Sequence, residues 1–535
     1  MAEGASERGA GAPPRVRTGA RWLLGERGAR LELAVPALPG GEPLELVIDL
    51  YDASRPIHPE GHLGYWKRET RGDERAVLTL DLEVPPGNEA RLEPGPFTDR
   101  WRNPELAAQA VETFALHLVL HRVDQPASLL SETLVPWYRS RAAWERGEAQ
   151  RAALFATPTH VRALAAPRLA LAPGARVHVA APDVRAGDAV GNLAIDVARW
   201  LRLHGVASQL WARHSDLVAA GAILPLADLA SEARPDDLVF YQYSIGDSLL
   251  GGVLACPGPK VAFYQGITPP ELTGGFEPGA AAECARGLAE LPRLAGFDAL
   301  LAGSRATAEE LREALGEAPA AGRIHVCPPT LNLGRFRDVE SESVALPEGR
   351  WLLYVGRFAP HKRLEDLVDA LACYRRLDPA CGLVLAGSGG ERGYRAHVQA
   401  RIAAHGLAGH VHWLERPSDG QLAVAYARCT AYVSASRHEG FGIPLVEAMG
   451  FGKPVLAHAA PAVRDTLGGA GVLSDEPDAE KLAAAWHATL SDPVAVRRVL
   501  AAQDARFAEL LRAADGTILA EALALALAPP GGGAG

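Results

Sequence analysis

Apolar and polar positions follow two different rhythms along this chain. In residues 21–139 they alternate one by one, most clearly at 30–35, 44–50, 76–82 and 114–120, with proline and glycine turns between the runs. A period of two predicts strands with one buried face. Several such runs predict an antiparallel, sandwich-like β domain. Residues 140–172 read as a helical linker. Beyond residue 173 short continuous apolar runs alternate with helical spacing. Strands are expected at 175–180, 237–241, 260–264, 299–302 and 324–327, with helices after Asn192 and over 307–315. The polar stretch 338–349, with Pro347 and Gly349 near its end, reads as a linker. A second series follows, with strands at 351–355, 382–386, 411–414, 431–434 and 454–457. Leu364, Leu367, Val368 and Leu371 share one face of a helix within it. Strands alternating with helices predict an α/β fold with a parallel doubly wound sheet, here twice over. Residues 507–527 read as one terminal helix.

The expected organisation is therefore a disordered tail at 1–20 and a β-sandwich-like accessory domain at 21–139. The helical linker at 140–172 leads into a first Rossmann-like domain at 173–337. A linker at 338–349, a second Rossmann-like domain at 350–505, a helix at 506–528 and a flexible end at 529–535 complete it. The two α/β domains are expected to face a cleft that takes a ligand at the carboxyl ends of the strands. Tyr51, Tyr65, Trp66, Trp101, Trp137 and Tyr138 cluster in the β-rich portion; they either stack on sugar rings or pack a core.

Totals narrow the function classes. A chain of 535 residues exceeds what one core accommodates. A net charge of −10 and a pI near 6.0 argue against a sequence-independent nucleic-acid binder. Cys256, Cys284, Cys327, Cys373, Cys381 and Cys429 show no metal-ligand spacing and read as reduced thiols of a cytosolic protein. The N-terminus lacks the apolar core of a signal peptide, and no run is long enough to span a bilayer. The chain reads as soluble, or at most attached to a membrane surface.

The chemistry concentrates in Arg437-His438-Glu439-Gly440-Phe441-Gly442-Ile443-Pro444-Leu445-Val446-Glu447. Two carboxylates flank a glycine turn, and a helix is expected to start near Pro444. That reading places Glu439 on the loop and Glu447 in the first helical turn. A helix N-terminus offers free N–H groups to a phosphate, and carboxylates accept hydrogen bonds from hydroxyls. Either glutamate alone has a plainer use, Glu447 against the helix dipole and Glu439 in solvent. Two further loops should converge on this turn. In Val355-Gly356-Arg357-Phe358-Ala359-Pro360-His361-Lys362, Arg357 and Lys362 follow a strand and could neutralise a diphosphate. Ala386-Gly387-Ser388-Gly389-Gly390 suits either close ligand approach or a plain turn.

In this order and spacing the three loops resemble the retaining nucleotide-sugar glycosyltransferases of family 4, which have the two-Rossmann GT-B fold. Glu439 and Glu447 match the family's E-x7-E motif, and Arg357 with Lys362 match its diphosphate pair. Echoes extend from about residue 177 to 490. They include residues 187–192, Tyr243-Ser244-Ile245-Gly246, Gly266-Ile267-Thr268-Pro269-Pro270, Ser304-Arg305-Ala306-Thr307 and residues 466–471. The resemblance is strongest to bacterial enzymes of surface-polysaccharide synthesis, many of them mannosyltransferases. The β-rich first portion lies outside the family's core.

The resemblance implies roles. Glu447 would hold the ribose, with Gly356 and Gly387 beside it on the donor side. Gly440 would also line the donor side, and amides at Phe441, Gly442 and Ile443 would meet the sugar or its phosphate. Arg357, Lys362 and Glu439 would be the catalytic set, Glu439 on the sugar's hydroxyls. Both front-face transfer and double displacement through Glu439 remain open. Gly187, Gly191, Asn192, Ser244, Gln265 and Thr268 would line the opposite, acceptor side, with Gly187 and Gly191 on a loop facing the diphosphate. Relatives often carry histidines near two of these segments; here they read Tyr241-Gln242-Tyr243 and Tyr264-Gln265-Gly266. No metal and no cofactor are implied. The co-substrate would be a GDP- or UDP-sugar, and the acceptor a glycan or lipid-linked glycan. The expected location is cytoplasmic, at the inner face of the membrane if the acceptor is lipid-linked.

Overall fold

The computed structural model describes residue 149, residues 159–528 apart from 185–188, 216–222, 317–322, 337–343, 345–348, 390–391 and 477, and the backbones of eight strands between 19 and 138. The chain falls into two compact units, Met1–Ala156 with His214–Asp228, and Thr157–Arg213 with Leu229–Gly535.

The first unit is built of antiparallel β structure. Gly19–Gly25, Gly28–Val35 and Ala76–Glu83 form one sheet in that order. Thr98–Arg100, His62–Arg71, Pro43–Asp52, Thr113–Arg122 and Gln125–Tyr138 form another. All four alternating runs lie within these strands. Gly19 and Ala20, expected in the tail, belong to the first strand. Residues 1–18 and 529–535 lie outside the described residues.

The second unit contains two parallel sheets, as two series of continuous apolar runs require. The first has Ser208–Ser215, Val177–Val184, Leu238–Tyr243, Lys260–Tyr264, Ala299–Ala302 and Ile324–Val326 in that order. The second has Val411–Glu415, Cys381–Gly387, Arg350–Val355, Ala431–Ser434, Val455–His458 and Val472–Ser474. Numbered along the chain, that second order is 3-2-1-4-5-6, the Rossmann arrangement. Its strands are buried on both faces. Leu353 and Val355 pack with Tyr426, Leu445 and Met449 on one side. Leu352 and Tyr354 pack with Leu367, Leu371 and Trp486 on the other. Successive residues of a strand point oppositely, so two helical layers must cover a sheet this apolar.

Several expectations are corrected here. Within the expected linker, residue 149 and Thr159–Arg162 are helical and residues 163–172 are not, while 140–148 and 150–158 lie outside the described residues. Pro167 and the Pro173-Gly174 pair, with Gly174 at φ 81°, account for this: the alanine-rich composition resembles a helix, but the punctuation forbids it. The terminal helix is two helices, Pro493–Ala513 and Thr517–Leu527, separated at Gly516 with φ 88°. The first packs on the helices Ile443–Gly450 and Ala479–Leu490, and the second on three strands of the first sheet. Gly191 and Asn192 belong to the helix Ala189–Leu203 and not to a loop. Gly187 lies outside the described residues.

Candidate active site

A Rossmann sheet binds ligands where its strand order reverses, outside the carboxyl ends of the two central strands. In the second sheet those strands are Arg350–Val355 and Ala431–Ser434, which pair directly. The loops that leave them carry Arg357 and Lys362 on one side and Glu439 on the other.

Backbone contacts weld the neighbouring loops together. Gly356 N donates to Ala386 O at 3.0 Å, and Phe358 N to Ser388 O at 2.9 Å. Gly387, at φ 153°, lies so close that a Cβ on it would sit 1.8 Å from the Gly356 carbonyl oxygen. Arg357 leans over Gly389, where a Cβ would be 3.3 Å from its Cγ. The turn Pro360–Lys362 is anchored from the third loop, since Arg437 N donates to His361 O at 2.8 Å. Lys362 Nζ then meets Glu439 Oε1 at 2.7 Å. The three loops singled out in the sequence thus share one site.

The helix after the glycine turn spans Ile443–Gly450 with Pro444 in its first turn, and Gly442 precedes it at φ 93°. Glu447 is therefore in the second turn, not the first as expected. It is 3% exposed, and both of its oxygens are engaged. Arg335 Nη2 donates to Oε1 at 2.7 Å and Tyr426 Oη to Oε2 at 2.9 Å. Arg335 Nη1 also reaches Asp419 at 2.7 Å, and its guanidinium lies 4.4 Å from the centre of the Phe336 ring. Nothing in the local pattern marked Arg335, Asp419 or Tyr426, because the pairing crosses 112 residues of sequence.

The first α/β domain closes on this site. A Cβ on Gly440 would lie 1.9 Å from the Gln265 carbonyl oxygen, and one on Gly266 3.3 Å from Gly440 Cα. Thr268 Oγ1 is 3.4 Å from His438 Nδ1. Of the acceptor-side residues, the structure brings Gln265 and Thr268 to the glutamate turn. Ser244 lies at the end of Leu238–Tyr243, where Gln265 Nε2 donates to Gln242 Oε1 at 3.2 Å. Gln242 Nε2 is buried and has no protein partner. Two more links cross the cleft: Glu277 to Arg357 at 3.5 Å, and Asp465 accepting from Ala306 N at 2.6 Å. Glu277 is 5% exposed with one oxygen unpartnered.

Two histidines beside the cations stay neutral. Burial, with Lys362, His438 and Arg357 adding to it, lowers the His361 pKa to about 2. Burial lowers that of His438 to about 4, the Lys362 charge helping and the Glu439 carboxylate opposing. An unfolded histidine titrates near 6.5, so between about 6.5 and 4 the unfolded chain holds a proton that folded His438 does not. Stability is then full above about pH 6.5 and declines as the pH falls towards 4. His438→Gln is expected to reduce the loss of melting temperature between pH 7 and pH 5; an unchanged loss would count against this assignment.

Among the described residues no group of three or more His, Cys, Asp and Glu side chains could hold a metal ion. All six cysteines are free. No described helix is long and apolar enough to cross a membrane.

Comparison with known proteins bears on this site. Residues 336–506 match the family described as Glycosyl transferases group 1. The chain is 32% identical over 160 residues to the GDP-mannose:cellobiosyl-diphosphopolyprenol alpha-mannosyltransferase of Komagataeibacter xylinus, covering 30% of this chain and 39% of that protein. It is 32% identical over 173 residues to the D-inositol 3-phosphate glycosyltransferase of Jonesia denitrificans, covering 30% and 40%. It thus spans about two fifths of the length of these curated relatives. The alpha,alpha-trehalose-phosphate synthase (UDP-forming) of Burkholderia vietnamiensis superimposes with a TM-score of 0.51 at 14% identity, over 66% of this chain and 97% of that one; this likeness concerns the fold. In sequence, then, the part of the chain that carries Arg357, Lys362, Glu439 and Glu447 is similar to group 1 glycosyl transferases.

Proposed function

We propose that this protein is a retaining glycosyltransferase of the family 4 type that moves a hexose from a nucleotide-diphosphate sugar to a glycan or lipid-linked glycan. The carrying observation is the pairing of Lys362 with Glu439 at the strand-order reversal, beside Arg357 and against the first domain. Cleavage of the anomeric C–O bond leaves negative charge on the diphosphate and positive charge on the sugar. Arg357 and Lys362 stabilise the first, and Lys362, held at Glu439 before reaction, needs little reorganisation. Glu439, held by Lys362, accepts hydrogen bonds from the sugar. Glu447 takes the ribose. These cations perform the charge neutralisation, so the reaction is metal-independent.

The Komagataeibacter relative is named for GDP-mannose and a diphosphopolyprenol-linked acceptor. By analogy, mannose is the first sugar to test and a lipid-linked glycan the first acceptor, which would bring the protein to the inner face of the membrane. The antiparallel sheets of the first unit are assigned to a sandwich-like accessory domain at 21–139 that binds carbohydrate. The α/β domains are assigned to 173–337 for the acceptor and 350–505 for the donor.

A melting-temperature screen with GDP, UDP, ADP and dTDP tests nucleotide recognition. A nucleotide at 100 times its Kd adds about 2.7 kcal/mol if it ignores the unfolded chain. One base is expected to raise the melting temperature; no rise with any of the four would overturn the proposal.

A further inference from the structure

We infer that Arg335 is a positioning residue of the nucleotide site: it fixes the carboxylate of Glu447 so that both oxygens can accept from the cis-diol of a ribose. The inference rests on the reading of Glu447 as the ribose ligand and adds to it a residue outside the E-x7-E motif.

Glu447 is almost wholly buried, and a buried carboxylate without a partner is costly. Its two partners come from different elements. Arg335 lies in the turn Leu333–Phe336, which follows the last strand of the first α/β domain. Tyr426 lies in the helix Asp419–Arg428. Each uses one carboxylate oxygen. A carboxylate oxygen has two acceptor sites, so each keeps one for a ligand. Two ribose hydroxyls can use both only if the carboxylate plane cannot rotate, and a clamp on each oxygen prevents that.

Arg335 is itself immobilised. Its backbone N donates to Asn332 Oδ1 at 3.1 Å, Nη1 bonds Asp419, and Phe336 lies under its plane. The Phe336 ring in turn packs edge-on against Tyr426 and Phe451, at 5.9 and 5.2 Å between centroids. The Arg335 side chain is 24% exposed against 4% for Glu447, so the guanidinium is the member of the pair nearer to solvent. A planar donor fork suits this task, whereas an ammonium would supply charge without orientation.

The test compares affinities of the full-length chain for GDP and 2′,3′-dideoxy-GDP, or for the uridine pair if UDP is the better ligand, by calorimetry. Wild type is expected to favour the ribose form at least tenfold. Arg335→Met is expected to compress that preference at least fivefold, and Arg335→Lys to retain an intermediate value. Asp419→Asn, a change at a half-buried position, should shift the preference in the same direction by less, and serves if Arg335→Met does not fold. A purely structural Arg335 would lower both affinities alike and leave the preference unchanged, which overturns the inference. Equal affinity of wild type for both forms also overturns it. Failure of wild type to bind any of GDP, UDP, ADP and dTDP overturns the nucleotide-sugar reading itself and this inference with it.

Discussion

Lys362→Ala is expected to lower kcat for sugar transfer about 10²–10³-fold, the range found when one preorganised charge-stabilising donor is lost. Two effects add. The developing diphosphate charge loses a cation, and Glu439, only 18% exposed on its side chain, loses the partner at 2.7 Å that offsets its own charge. An uncompensated carboxylate would then face an incoming diphosphate. Lys362→Arg keeps the charge and should recover part of the activity, although its fork does not reproduce a point charge. The melting temperature should fall as well, because removing one partner of a largely buried ion pair leaves the other charge uncompensated. The check is the rate of nucleoside diphosphate release from a donor sugar. A rate for Lys362→Ala within threefold of wild type would exclude the role assigned to this lysine.

Gly440→Ala is expected to separate folding from closure. The atoms a Cβ at this position would meet all belong to Gln265 of the first domain, the carbonyl oxygen at 1.9 Å. Nothing within its own domain obstructs an alanine, so the donor half should fold and bind nucleotide within a few-fold of wild type. The two domains, however, could not approach as they do here. Displacement of reacting groups by about 1 Å costs on the order of 10²-fold in rate. Transfer should therefore fall at least that far while nucleotide affinity persists. Wild-type turnover by Gly440→Ala would mean that this closed contact is not the reactive arrangement.

Much of both α/β domains was legible in the sequence because their signals are local. Lys260–Tyr264, Ala299–Ala302 and Ala431–Ser434 match the expected strands residue for residue, since each is a short apolar run between turns. The loops of Arg357, Gly387 and Glu439 stood out because charge or glycine follows directly on such a run. Strand order is not local, and it decides who meets whom. Arg335 reaches Glu447, and Glu277 reaches Arg357, only after both sheets have formed. The acceptor side suffered most: Gly191 was read as loop because glycine is a turn signal, but the apolar periodicity that follows draws it into a helix. The break in the terminal helix did have a local sign, the Asp515-Gly516 pair, which the long run of alanine and leucine obscured.

The most direct measurement is donor turnover. Purified protein is incubated with GDP-mannose and, separately, with UDP-glucose, and free GDP or UDP is followed by mass spectrometry beside Lys362→Ala. Release from one of the two donors by wild type, at least 10²-fold faster than by the variant, is the predicted result. Equal rates for the two proteins, or no release by a wild-type chain that binds none of GDP, UDP, ADP and dTDP, would contradict sugar transfer at this site.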